Sequence, residues 1–215
     1  LVVGDIADQP LMETTLRDHG VKAVMHFAGS VVVPDSVENP LKYYHNNSSK
    51  TRDLIESAVR VGVPHFIFSS TAAVYGNPMV VPVAEDAALA PMSPYGSSKL
   101  MTEIMLRDTS AAHGLQAVIL RYFNVAGADP GGHTGQSTPR ATHLIKVACE
   151  TALGKRNHMD VFGTDYATPD GTCVRDYIHV WDLAQAHLLA LQYLQTHQKS
   201  QCFNLGNGNG YSVRE

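Results

Sequence analysis

The segment Tyr95-Gly-Ser-Ser-Lys99 carries the sharpest chemical signal in the chain. On a helix, a four-residue spacing puts both side chains on one face, one turn apart. Free tyrosine titrates near ~10 and is a poor base at neutral pH. An ammonium one turn away favours the phenolate and lowers that value, so the pair can move a proton. The same spacing also arises where a surface tyrosine precedes a solvated lysine, so the surroundings decide. Upstream stands Ser69-Ser70-Thr71-Ala72-Ala73-Val74-Tyr75-Gly76, whose hydroxyls at a strand tip can donate to a substrate oxygen. Arg121-Tyr122-Phe123-Asn124 closes the following strand, and His26-Phe27-Ala28-Gly29 closes an earlier one.

The elements that must position these residues alternate. Asp8 can cap a helix reaching His19, with Gly20 as its end. Residues 23–28 read as a buried strand, and 40–61 as a helix with Leu54, Ile55, Ala58 and Val59 on one face. Residues 65–69 form the next strand, 94–113 a second long helix and 116–122 a third strand. Strands separated by helices imply a parallel sheet with right-handed crossovers, an α/β, doubly wound, Rossmann-like fold. Ligands of such sheets bind beyond the carboxyl ends of the strands, where the small and polar residues above stand. After Asn124 the rhythm loosens into a Gly/Pro-rich loop from Gly127 to Pro139. A helix over 141–153, a polar segment, a helix over 180–195 and a strand over 202–205 complete the pattern. The division expected is a dinucleotide-binding domain at 1–124, without its first Gly-rich βαβ unit. Residues 125–215 then mix part of a smaller substrate lobe with returning sheet elements.

Composition narrows the function classes. The 215 residues are 44% hydrophobic and 17% charged, with a net charge of −4. No basic stretch favours nucleic acid, and no apolar run approaches the ~20 residues that cross a bilayer. Cys149, Cys173 and Cys202 lie far apart without a CxxC pair, which favours a reducing cytoplasm over a disulfide framework. The 11 histidines form no HExxH or comparable ligand pair, and no metal is expected. The opening Leu1-Val2-Val3-Gly4-Asp5 reads as a strand already under way, so a segment of a longer protein is expected.

Taken together, the blocks at 26–29, 69–76, 95–99 and 121–124 resemble the extended short-chain dehydrogenase/reductase family over nearly the whole chain. The run Gly171-Thr-Cys-Val-Arg-Asp-Tyr-Ile-His179 narrows the likeness to its sugar-nucleotide epimerases. That resemblance implies interconversion of UDP-glucose and UDP-galactose, by transient oxidation at sugar C4 with tightly bound NAD. It makes Tyr95 the base and then the acid, Lys99 the residue that holds the nicotinamide ribose and tunes Tyr95, and Thr71 a hydrogen-bond partner of the reacting oxygen. It puts Asp5 and Ile6 near adenine, Phe27, Ala28 and Gly29 along the cofactor, and Phe123 against the nicotinamide. Tyr122 and Asn124 fall near the sugar or phosphate, and His143, Leu144, Val161 and Phe162 around the uridine and diphosphate. Arg175 would pair with the diphosphate through its guanidinium fork, unless it is taken by Asp176 or Asp182. The resemblance also implies a homodimer.

Several positions depart from the family pattern. Val31 stands where relatives place a cofactor-side lysine, and His143 replaces an asparagine. Ser49 aligns with a cofactor-side asparagine, so that Asn46 and Asn47 do not inherit that contact. A glycine-rich GxxGxxG turn, which brings backbone and a helix N-terminus to the pyrophosphate, does not occur among the 215 residues. Gly206-Asn-Gly-Asn-Gly210 has the wrong spacing and reads as a turn. Thr71-Ala72-Ala73 lacks the acid that sugar-nucleotide dehydratases and decarboxylases place after the strand-tip threonine. An epimerase of another UDP-sugar (N-acetylated, acidic or pentose) stays open, as does an inert NAD-binding regulator or fragment.

Overall fold

The computed structural model describes residues 1–138 and 141–215. They form two compact units, one of residues 1–121 and 187–204, the other of 122–186 and 205–215.

In the first unit, α1 (Gln9–Asp18) starts where the Asp8 carboxylate accepts the Leu11 N–H, and ends at His19 ahead of Gly20. Strand β1 (Ala23–His26) stops two residues short of the expected length, which frees Phe27-Ala28-Gly29 as a strand-end loop. A short helix α2 (Val33–Glu38) follows, with no clear sequence signal. The long helix expected over 40–61 is present in three pieces. These are α3 (Pro40–Tyr43), a π-helical turn (Tyr44–Ser49) and α4 (Lys50–Val61), closed by Gly62 at φ 78°. Strand β2 (His65–Ser69) leads through Thr71 into a 3-10 turn (Ala72–Tyr75), then comes α5 (Pro94–His113) and β3 (Gln116–Tyr122).

Strand β1 pairs in parallel with β2, and β2 in parallel with β3, with Phe66 opposite Ala117 and Phe68 opposite Ile119. The fourth strand, β6 (Gln201–Leu205), lies beside β3. Phe66, Phe68, Ala117 and Ile119 share one sheet face by alternation and form one cluster with Leu54 and Ile55 of α4 and Leu106 of α5. Ile67, Val118 and Leu120 face the other way and are buried too. Ser69, on that second face, meets His187 of α7 (Val180–His197). Helices therefore cover both faces, as a sheet of continuous apolar strands requires. Burying each phenylalanine side chain of β2 contributes about 2–3 kcal/mol.

In the second unit, β4 (Asn124–Ala126) pairs in parallel with β5 (Val174–His179), and β5 antiparallel with β7 (Gly210–Ser212). None of these three was expected. Each is short, and β5 is exposed at half of its positions without a regular polar/apolar alternation, so its sequence reads as loop. Gly210 of the supposed turn opens β7, while Gly206 to Gly208 bend around Asp176, whose carboxylate accepts the Asn207 and Gly208 N–H groups. Helix α6 spans Leu144–Ala152, inside the expected 141–153. Pro139, the expected end of the preceding loop, lies outside the described residues.

Candidate active site

Helix α5 begins at an N-cap, the Ser93 hydroxyl accepting the Gly96 N–H at 3.2 Å, with Pro94 at its first position. This start places Tyr95 in the first turn, half-buried, and Lys99 one turn further in, buried. Gly96 lies so close to the turn after Thr71 that a Cβ there would sit 2.8 Å from the Ala73 carbonyl oxygen. Only glycine permits that approach, which brings the first turn of α5 against the strand-β2 tip. Thr71 itself is buried, and its hydroxyl accepts the Ala73 N–H at 3.1 Å, capping the 3-10 turn.

The Lys99 ammonium donates to the Ser69 carbonyl at 3.0 Å and lies 4.9 Å from the Phe68 ring centroid. Burial pulls its pKa down from the ordinary lysine value to about 8. His26 is buried between the rings of Phe66 and Phe68 and bonded to the Thr51 hydroxyl at 2.8 Å. Burial first, and the Lys99 charge second, hold it down at about 4, so this imidazole is neutral at pH 7.

Gly29 stands in front of Lys99. A Cβ there would lie 3.4 Å from the ammonium and 3.2 Å from the Asn47 side-chain oxygen. Asn47 accepts the Ser30 N–H at 2.8 Å and donates to the Ser30 carbonyl at 3.0 Å and the Ser98 hydroxyl at 3.1 Å. Asn46 donates to the Ser30 hydroxyl at 3.1 Å. The strand-end loop is thus tied to α5 through Asn47, with Asn46 holding Ser30 beside it, and the sequence assigned neither asparagine a role. Ser49 is exposed at the end of the π-helical turn and lines a different recess, with Arg52, Asp53, Met101 and Ile104. Val31 is exposed.

A second recess of about 190 Å³ is framed by Gly4, Asp5, Ile6, Ala28, Gly29, Asn46 and Lys50. Asp5 forms an ion pair with Lys50 and accepts the Ala7 N–H, and both hold its carboxyl below the usual range. Phe27 is 59% exposed. A carboxylate, a glycine lacking the Cβ that would crowd an ammonium, and an ammonium that donates to a carbonyl suit the hydroxyls of ribose. The residues present therefore fit parts of a dinucleotide, whose volume exceeds the recess.

In the second unit, Tyr122, Phe123 and Asn124 are half-buried, and the Asn124 amide donates to the Asp176 carbonyl at 3.0 Å. His143 is exposed beside Gln136, 2.9 Å from its amide nitrogen, and Leu144 is half-buried. Val161 and Phe162 are exposed. Arg175 is exposed and donates to the Val174 carbonyl at 2.8 Å, while Asp176 serves the Gly206–Gly208 bend. The first unit thus brings Thr71, Tyr95 and Lys99 to one sheet end.

Comparison with known proteins bears on this arrangement. The model of the NAD dependent epimerase/dehydratase family matches residues 1–206. The chain belongs to that family. A UDP-glucose 4-epimerase of Azospirillum brasilense is 61% identical over 215 residues, all of this chain and 62% of the relative. A UDP-glucose 4-epimerase from Brucella ovis, solved in complex with NAD, superposes with a TM-score of 0.97 at 46% identity, covering 100% of this chain and 66% of that one. A UDP-Glc/GlcNAc 4-epimerase from Campylobacter jejuni is 51% identical with a TM-score of 0.83, covering 99% and 64%. The chain thus spans a little under two thirds of the relatives it matches. As a member of the epimerase/dehydratase family it shares their Rossmann-like parallel sheet, and among the described residues no helix is long and apolar enough to cross a membrane.

Sequence reasoning missed Asn46, Asn47 and His187 around this sheet end. For His187 a signal existed. It occupies the same helical stripe as the buried Leu183, Ala190 and Leu194.

Proposed function

We propose that the protein interconverts UDP-glucose and UDP-galactose as an NAD-dependent 4-epimerase. The observation that carries this is the Tyr95/Lys99 face of α5, held against the Thr71 turn by Gly96. Asp5, Ile6, Ala28, Gly29 and Phe27 would hold the cofactor together with Lys99 and Phe123, while Ser49, which lines a different recess, drops out of that set. When bound, NAD supplies a reversible hydride acceptor. Tyr95 takes the 4-hydroxyl proton as C4 is oxidised and returns it as C4 is reduced on its other face. The Lys99 charge favours the phenolate, and with a pKa of about 8 the lysine is largely charged at pH 7. Thr71 hydrogen-bonds the reacting oxygen. Tyr122, Asn124, His143, Leu144, Val161, Phe162 and Arg175 make up the UDP-sugar side. Residues 1–124 serve the cofactor, and 125–215 combine substrate-lobe segments with returning sheet elements.

A second reading, a 4-epimerase that also takes N-acetylated sugars, is supported by the likeness to the Campylobacter UDP-Glc/GlcNAc enzyme. Competition between UDP-galactose and UDP-N-acetylgalactosamine would rank the two. We also assign a cytoplasmic homodimer. Free thiols at Cys149, Cys173 and Cys202 support the compartment, and exposed Met101 and Ile104 beside the Ser49 recess support self-association. Cell fractionation and light scattering test these.

The decisive test follows hydrogen. Full-length protein given UDP-galactose deuterated at C4 should yield UDP-glucose labelled at C4, without consuming added NAD. A 4-keto-6-deoxy product, accumulating reduced cofactor or protium at C4 would overturn the reading. Tyr95→Phe should cut turnover by roughly 10²–10⁴ while nucleotide-sugar affinity changes little; turnover within threefold of the parent removes Tyr95 from its role.

A further inference from the structure

Helix α7 buries Leu183, Ala190 and Leu194, and His187 stands among them on the same stripe, only 3% exposed. A buried imidazole without a polar partner is destabilising, and an aliphatic residue would fill such a stripe more simply. Among the contacts His187 makes, two lie at the strand ends. One ring nitrogen, Nε2, shares a hydrogen bond with the Ser69 hydroxyl at 3.0 Å. The ring also lies against Phe27, centroids 4.7 Å apart and planes at 36°.

Phe27 belongs to the candidate cofactor site, and Ser69 holds its Lys99. Ser69, the last residue of β2, is gripped twice: its hydroxyl by His187, its carbonyl by the Lys99 ammonium at 3.0 Å. Phe27, the first residue past β1, is largely exposed, so the imidazole is a fixed backing for an otherwise loosely held ring. A shift of the Ser69 carbonyl would redirect the ammonium beside Gly29, and a loose Phe27 would sweep the loop that contains Gly29.

We propose that His187 is a positioning residue of the dinucleotide site, setting the Ser69 carbonyl that aims Lys99 and the ring plane of Phe27. The proposal rests on the NAD reading above. In this role His187 acts through Ser69 and Phe27.

The two contacts can be separated in full-length protein. His187→Phe keeps a ring against Phe27 and removes the bond to Ser69; Ser69→Ala removes the same bond and leaves the imidazole. His187→Gln restores a polar group toward Ser69 without the ring. Oxidised NAD is titrated into protein stripped of dinucleotide, and thermal midpoint, kcat and the KM for UDP-galactose are measured alongside. Each of the first two variants should bind NAD about tenfold more weakly, and the double variant no more than about twofold weaker than the worse single, because both remove one interaction. UDP-galactose KM should stay within about twofold of the parent while kcat falls, and His187→Gln should recover part of the NAD affinity. Those two splits separate positioning from a general loss of packing. Unchanged NAD affinity in folded His187→Phe and Ser69→Ala, or fully additive losses, overturns the proposal. If His187→Phe does not fold, Ser69→Ala alone decides by the same NAD criterion. A parent protein that binds no NAD overturns the cofactor reading and this proposal together, whereas a binding parent with unaffected variants overturns this proposal only.

Discussion

Helix α5 carries two buried charges one turn apart, and their surroundings treat them in opposite ways. Glu103 is fully enclosed and fully answered. Arg121 grips it through Nη2 at 2.7 Å and Nε at 3.1 and 3.3 Å, and the Ser70 hydroxyl donates to it as well. Arg121 then donates to the Tyr75 hydroxyl at 2.7 Å and the Glu85 carbonyl at 3.1 Å, and Tyr75 donates to Asn204 at 2.7 Å. Burial works to lower the Arg121 pKa, but hydrogen bonds to Glu103 and Tyr75 and the Glu103 charge leave it raised. Lys99, equally buried, has a carbonyl and a ring face, and among the described residues no carboxylate ion pair. The first charge holds β2, α5 and β3 together. The second is kept under-compensated, as groups poised for chemistry commonly are.

The largest expected effect breaks the satisfied side. Glu103→Leu strands the Arg121 guanidinium in the interior and should cost roughly 3–5 kcal/mol, read from urea unfolding. A loss below about 1 kcal/mol would mean the network is not structural.

His26 sharpens the other side, because it reports the same dry environment without a charge. Its folded pKa, about 4, lies below the ordinary 6.5, so between those values the unfolded chain binds the extra proton. The stability this group contributes is present above pH 6.5 and lost as pH falls toward 4. His26→Gln should remove roughly 2–3 kcal/mol of the acid loss between pH 7 and pH 4. Parallel acid curves for parent and variant would contradict the assignment.

The smallest effect has the opposite sign to the first. Lys99 also titrates lower when folded, about 8 against 10.5, so its burial penalty is full below pH 8 and fades as pH rises to 10.5. Lys99→Met should therefore stabilise the fold at pH 7, by about 1–2 kcal/mol once the lost carbonyl bond is allowed for. That gain should shrink by pH 10, and the acid loss attached to His26 should shrink with it, since Lys99 is its second cause. A destabilised Lys99→Met at pH 7 would show that Lys99 is structural like Glu103, and the contrast between the two would fall.

Much of this was legible in the linear chain because it depends on local periodicity. A Ser-Pro start and an uninterrupted 20-residue helix fix which face Tyr95 and Lys99 share. Strands β2 and β3 are apolar on both faces and announce themselves. The short strands β4, β5 and β7 do not, because pairing with partners about 50 and 35 residues away in the sequence, and not hydrophobic pattern, defines them. The π-helical turn was equally silent. A wider turn rotates every later side chain relative to an α-helix, which is how Asn46 and Asn47 come to face Ser30 while Ser49 lines another recess.

Residue type and local spacing alone were enough for strands β1, β2 and β3, the family resemblance and the Tyr95/Lys99 pair. Which buried charge is answered, and by what, was decided only in three dimensions. Lys99 and Glu103 look alike on the helix, but Arg121 comes from the neighbouring strand β3, and the Ser69 carbonyl from the tip of β2. Desolvation and hydrogen bonding depend on those distant partners, and neither can be counted along a chain.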